Sequence, residues 1–181
     1  MKRRNFIKTT GTISALASLI PMTGFRSYLG NDTSELQNFI LQNYDAEQEE
    51  SPSIVTDGKG NMWIFSLRRM SYPLDKESIS AFSFNGGDWK EIEPVTASEG
   101  QYEAPVASCA QGGKPVVAWC EINSGNWQIN VSALGKTGFE KPIKLKTKAG
   151  KPINPVLIAP DKNRTWIAWE NYHKGKFSIC I

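Results

Sequence analysis

Three short stretches decide the fold: Ser51-Pro52-Ser53-Ile54-Val55, Ala104-Pro105-Val106-Ala107-Ser108 and Asn154-Pro155-Val156-Leu157-Ile158. The prolines stand 53 and 50 residues apart. Eleven residues beyond each come Trp63, Val116 and Trp166, followed by Ile64-Phe65-Ser66, Val117-Ala118-Trp119 and Ile167-Ala168-Trp169. Sixteen residues before each stand Leu36, Trp89 and Phe139. Trp127 also matches Phe177, and Ile129 matches Ile179, at a spacing of 50. Several landmarks that keep one interval are the mark of a repeat architecture.

Each unit reads as strands in order. A first strand follows the proline (53–56, 106–110, 156–159), then a polar turn such as Asp57-Gly58-Lys59-Gly60-Asn61. A strongly apolar second strand comes next (62–67, 115–120, 165–170). A looser loop leads to an alternating third strand (78–84, 128–134, 177–181), and an exposed fourth begins near Trp89 and Phe139. Four strands in about 50 residues, with the most apolar strand second, is the pattern of a β-propeller blade. Inner strands covered on both faces by neighbouring blades read as unbroken apolar runs. A β-sandwich explains the strand density but not the self-match.

The expected fold class is therefore all-β, with four-stranded antiparallel blades in an incomplete ring. The blades cover 52–95, 105–147 and, in part, 155–181. Segment Leu36–Gln42 has two readings. Leu36, Phe39, Ile40 and Tyr44 fall on one helical face, with Ser34 and Gln37 as a capping box. The repeat instead favours an outer fourth strand here, whose partners come from elsewhere. A propeller needs about 4–8 blades, so three units are expected to be part of a longer chain or of an oligomer.

The formal charge of +3 is a local effect. Lys2, Arg3, Arg4, Lys8 and Arg26 lie in the first 26 residues, which carry no Asp or Glu. The rest holds 16 basic against 18 acidic residues, which gives no electrostatic footprint for nucleic acid. The opening Lys2-Arg3-Arg4-Asn5-Phe6-Ile7-Lys8 resembles the twin-arginine export signal through Arg3, Arg4, Phe6 and Lys8. Lys2 stands where that family has Ser or Thr, and Ile7 where it has Leu. The resemblance implies a signal peptide and linker over 1–30, the twin-arginine translocase as a partner during export, and a periplasmic or secreted protein. The apolar run Thr9–Ile20 is too short for a stable membrane span.

From Leu36 to Ile181 the chain resembles bacterial propellers of the TolB and sialidase-repeat kind. The resemblance rests on Asn163-Arg164-Thr165-Trp166-Ile167-Ala168-Trp169-Glu170, on Gly175-Lys176-Phe177-Ser178-Ile179, and on the Asp57-x-x-Gly60-x-x-Trp63-Ile64 turn. The sialidase Asp-box is not met: aligned on Trp63 and Gly60, it finds Gly58 where its Asp belongs.

Chemistry is sparse. His173, the one histidine, sits in a loop and reads as a surface residue. No cofactor motif is present, and one histidine without a spaced carboxylate cluster argues against zinc. With the first turn of its blade centred near Gly112-Gly113, Cys109 is expected opposite Val116 and Cys120 opposite Pro105, out of register for a disulfide. Together with Cys180 they read as small apolar strand residues.

The candidate ligand-binding residues are Arg68 and Arg69, able to grip a carboxylate bidentately, with Tyr72 nearby, and Trp127, able to stack on a sugar. Glu121 and Glu170 are candidate acid or base groups of a glycosidase. Three functional classes follow. The first is an exported propeller binding a protein or glycan without catalysis. The second is the N-terminal part of a carbohydrate-active enzyme, hydrolase or lyase. The third is a self-assembling envelope protein. The absence of a catalytic constellation in these three units favours the first.

Overall fold

The computed structural model describes residues 47–70, 77–96 and 100–181, all within the second of two compact units, Ile40–Ile181. The export motif, Tyr72 and segment Leu36–Gln42 lie outside the described residues. Among the described residues eleven strands form three antiparallel sheets, each with its strands in chain order. The first sheet holds β1 (Glu47–Thr56), β2 (Met62–Met70), β3 (Glu77–Phe84) and β4 (Lys90–Ile92). The second holds β5 (Tyr102–Cys109), β6 (Pro115–Asn123), β7 (Asn126–Ala133) and β8 (Ile143–Lys144). The third holds β9 (Lys151–Asp161), β10 (Arg164–His173) and β11 (Lys176–Cys180). These are the blades of a β-propeller.

The repeat is visible pair by pair. Val55 faces Trp63, Ser108 faces Val116, and Ile158 faces Trp166. Further along, Glu50 faces Leu67, Glu103 faces Cys120, and Ile153 faces Glu170. Trp63 pairs with Ser83, and Val116 with Ala133. The three extra residues of the first interval therefore fall between β2 and β3.

The first strands begin earlier than the prolines suggest. β1, β5 and β9 start at Glu47, Tyr102 and Lys151, and each carries a register shift around its proline. A bulge is where a strand tolerates a residue without an N–H. Ser51 and Asn154, just before Pro52 and Pro155, adopt φ of +51°. The cysteine register also differs: Cys109 faces Pro115, one residue from the expected partner because the turn is centred a half-residue earlier, and Cys120 faces Glu103, two residues away once the bulge is added.

The expected looser loop before the third strand is, in the second and third blades, a two-residue hairpin turn. Ser124-Gly125 and Lys174-Gly175 have φ of +49°/+78° and +49°/+77°. Positive φ at both positions matches the twist of the flanking strands.

β1, β5 and β9 run side by side in the same sense, laced by side-chain bonds from one blade to the next. The Ala107 amide donates to Ser53 Oγ (3.1 Å), and the Ala159 amide to Ser108 Oγ (2.9 Å). At the far ends of these strands the Gly112 amide bonds the Asp57 carbonyl (2.8 Å). Asp57 holds its own turn, accepting from the Lys59 amide (2.8 Å) and Asn61 Nδ2 (2.6 Å). Those bonds, led by the one from Asn61, lower its pKa.

The core lies between blades. Trp63, Phe65, Leu67, Ile79 and Ala81 of the first blade pack on Tyr102, Val117 and Trp119 of the second. Cys120 and Ile129 of the second pack on Trp169 of the third. Burying Phe65 and Ile79 fully contributes about 1.5–3 kcal/mol each. β10 departs from the expected burial on both faces, since its outward side chains lie open.

Candidate functional site

The polar residues concentrate at the rim where β1 and β5 begin and β2 and β6 end. Successive strand residues point to opposite faces, and this separates the two arginines. Arg68 Nε donates to Glu49 Oε1 (2.6 Å), and its NH1 to Glu91 Oε1 (2.6 Å), above the Phe82 ring. The other Glu49 oxygen accepts from Ser66 Oγ (2.5 Å) and Ser80 Oγ (2.7 Å). Arg69, on the second-blade side, pairs with Glu50 (3.2 Å) and Glu77 (2.9 Å). The two side chains do not converge, and each already grips carboxylates of this chain.

Arg69 opens instead onto a carboxylate chain across the first two blades. Glu77 Oε2 accepts the Tyr102 amide (2.6 Å), and the Glu77 backbone exchanges two bonds with Gly100 (3.0 Å each). Glu103, half-buried on β5 where the bulge begins, pairs with Cys120 and so lies on the third-blade side of its blade. Burial, and secondly the charge of Glu77, push the Glu103 pKa up. Glu77 is thus held by Arg69 and a backbone amide, while Glu103 is partly desolvated.

The remaining sequence candidates are dispersed. Glu121 accepts from Asn130 Nδ2 (2.7 Å) and lies 3.8 Å from Lys144 Nζ. Glu170 accepts from Asn154 Nδ2 (3.2 Å). The register puts Glu121 on the side of its blade facing the first blade, and Glu170 on the open side of the third, so they do not form a pair. Trp127 is half-buried against the Cys120–Ile129–Trp169 cluster, with Lys151 Nζ 5.9 Å from its ring. His173 is exposed at its hairpin tip.

Glu50, Glu77 and Glu103 carry no sequence motif. The only signal that could have pointed to them is the pair of acidic residues, Glu50 and Glu103, that precede the prolines at matching positions of the repeat.

At the opposite rim a groove of about 340 Å³ between the first two blades is lined by Trp63, Ser83, Glu93, Lys114 and Lys136. The repeat places a second groove of about 320 Å³ at Val116 and Ala133. Among the described residues no group of three or more His, Cys, Asp or Glu is placed to hold a metal ion. Nor is any helix among them long and apolar enough to cross a membrane.

No protein-family model matches the sequence, and no curated protein matches it. Solved structures do. A Bacillus subtilis levansucrase mutant superposes with a TM-score of 0.54 at 12% identity, over 70% of this chain and 42% of that one. A GH43_1 enzyme from Xanthomonas citri gives a TM-score of 0.46 at 16% identity, over 66% of this chain and 39% of that one. The chain thus spans about two-fifths of the enzymes it resembles, and at these identities the likeness is one of fold.

Proposed function

We propose that this chain is part of a carbohydrate-active propeller enzyme acting on a glycosidic bond, with the Glu50–Arg69–Glu77–Glu103 rim at its active face. The observation that carries the reading is that this rim holds two carboxyl groups near enough to influence one another, Glu77 and Glu103. Breaking a glycosidic bond requires a carboxylic acid that protonates the leaving oxygen, and a second carboxylate that stays ionised. Glu103 is assigned the first task, since burial and, secondly, the charge of Glu77 raise its pKa. Glu77 is the other carboxyl group, fixed by Arg69 and the Tyr102 amide. The shared fold with a levansucrase, an enzyme named for its action on a sugar polymer, supports this class over a purely binding role.

The test is turnover of a panel of aryl glycosides and of sucrose-type and plant-type oligosaccharides, with calorimetric binding run on the same panel. Cleavage that falls at least a hundredfold in Glu103→Gln supports the enzyme reading. Binding without turnover selects the second reading, a glycan- or protein-binding module. One observation favours that alternative: Arg68, Arg69, Glu49, Glu50, Glu77 and Glu91 largely satisfy one another. Loss of both signals sinks both readings.

The Lys2–Lys8 motif supports export through the twin-arginine route to the periplasm or beyond, and the repeat motifs support a likeness to TolB-like or sialidase-repeat blades. Replacing Arg3 and Arg4 by Lys is expected to hold the protein in the cytoplasm, as read by cell fractionation.

A further inference from the structure

The second and third blades each turn a face toward the blade before, and the equivalent face of the first blade carries a satisfied polar cluster. There the Glu49 carboxylate serves three side chains: Oε2 accepts from the Ser66 and Ser80 hydroxyls, and Oε1 from Arg68 Nε. The register assigns the counterparts. Ser66 pairs with Ser80, as Trp119 does with Asn130 and Trp169 with Cys180. Glu49 pairs with Arg68, as Tyr102 does with Glu121 and Pro152 with Asn171. The second and third blades thus have no carboxylate at the Glu49 position. Four buried side-chain polar atoms among the described residues have no partner in the protein, and all four fall on these positions. They are Trp119 Nε1 and Asn130 Oδ1 in the second blade, and Trp169 Nε1 and Asn171 Oδ1 in the third.

We infer that each of the two blade interfaces binds an internal water where the first blade has its Glu49 carboxylate, accepting from the indole N–H and donating to the asparagine oxygen. All four residues are buried: Trp119 and Asn130 are 1% exposed, Asn171 4% and Trp169 8%. Buried polar groups are nearly always bonded, to protein or to ordered water. The chemistry of the four atoms selects the ligand. An indole N–H only donates. Each asparagine has its amide nitrogen engaged, Asn130 on Glu121 Oε2 (2.7 Å) and Asn171 on the Ala149 carbonyl (3.1 Å), so the oxygen that remains only accepts. The ligand must therefore accept from one group and donate to the other. A carboxylate suits the three donors of the first blade but cannot donate, and a metal ion cannot accept. Water does both, and an internal water makes about three such bonds. Tyr102 turns its hydroxyl elsewhere, against Gly100, where a Cβ would come within 2.8 Å of it. Pro152 has no polar side chain to offer.

The experiment is nuclear magnetic resonance on the full chain with isotope-labelled indole nitrogens, the tryptophans being assigned through their own ring and backbone protons. The expected result is a cross-peak from water to the indole N–H of both Trp119 and Trp169. Its rotating-frame sign is that of a long-lived dipolar contact, not of hydrogen exchange. Asn130→Leu, which keeps the side-chain volume and removes the accepting oxygen, is expected to abolish the peak at Trp119 and keep the one at Trp169. Asn171→Leu is expected to do the converse. Three results overturn the inference. One is the absence of a water peak at either tryptophan of the parent protein. Another is a peak that carries the sign of exchange alone. The last is a Trp119 peak that survives Asn130→Leu, which shows a water that does not bridge the two groups. The first two are read on the unsubstituted chain, so they hold even where a variant fails to fold.

Discussion

At Glu103, burial and a neighbouring like charge act in the same direction. Its folded pKa lies above its unfolded value, so its contribution to stability is full below the unfolded pKa and is lost as pH rises through the folded one. Glu103→Gln is expected to match the parent near pH 3.5 and to melt at a higher temperature at pH 7, as read by calorimetry at the two pH values. A residue that costs stability when ionised is consistent with retention for chemistry. Across the strand pair from it, burial, and secondly the Glu103 charge, push the Cys120 pKa up to about 12. Thiol labelling at pH 8 is therefore expected to modify Cys109 and Cys180, which are half-exposed, well before Cys120. Neither behaviour is legible in the sequence. Glu103 and Glu77 are 26 positions apart with no spacing rule between them, and the pairing of Glu103 with Cys120 depends on a bulge. The matching bulges of the first and third blades carry positive φ at Ser51 and Asn154, and for Ser51 local propensity does not favour it.

Among the elements, the repeat conserves geometry more strictly than charge. Arg68 and Glu121 occupy corresponding positions on β2 and β6, and each reaches a charged residue of its fourth strand, Glu91 opposite Phe82 and Lys144 opposite Asn130. Each pair ties its second strand to its fourth, with the signs reversed. Burial sets the worth of each. Arg68 is mostly covered and also serves Glu49, whose carboxylate is more covered still. Arg68→Ala therefore leaves a buried charge without a counter-ion and is expected to cost about 3 kcal/mol. Lys144 is largely exposed at 3.8 Å from its partner, so Lys144→Ala is expected to cost under about 1 kcal/mol. Urea denaturation of the two variants, with a double-mutant cycle for each pair, measures both. The strands themselves were legible because apolar runs and turn residues are local. The tight turns were half legible: Gly125 and Gly175 are the expected second turn residue, but Ser124 and Lys174 stand where Asn or Asp usually signals the first.

For the molecule as a whole, Ile79, Ile129 and Ile179 are three copies of one position with 0%, 0% and 70% exposure. Replacing each by Ala is expected to cost about 2–5 kcal/mol at the first two and under about 1 kcal/mol at the third. The comparison, made by thermal or urea unfolding, separates the worth of a blade interface from the worth of the residue. The repeat interval was readable because landmarks such as Pro52, Pro105 and Pro155 are sequence features. Which blade face is covered is set by the neighbour, and a sequence position carries no record of that.

The serine bonds between innermost strands have a kinetic consequence. An amide at the edge of a sheet ordinarily exchanges its hydrogen with solvent within seconds to minutes once water reaches it. The Ala107 and Ala159 amides are each held by the hydroxyl of a preceding blade, so they are released only when two blades separate. Their deuterium uptake thus clocks the parting of blades independently of the melting of any one blade. Ser108→Ala is expected to speed exchange at Ala159 while leaving the amides of β6 and β7 slow.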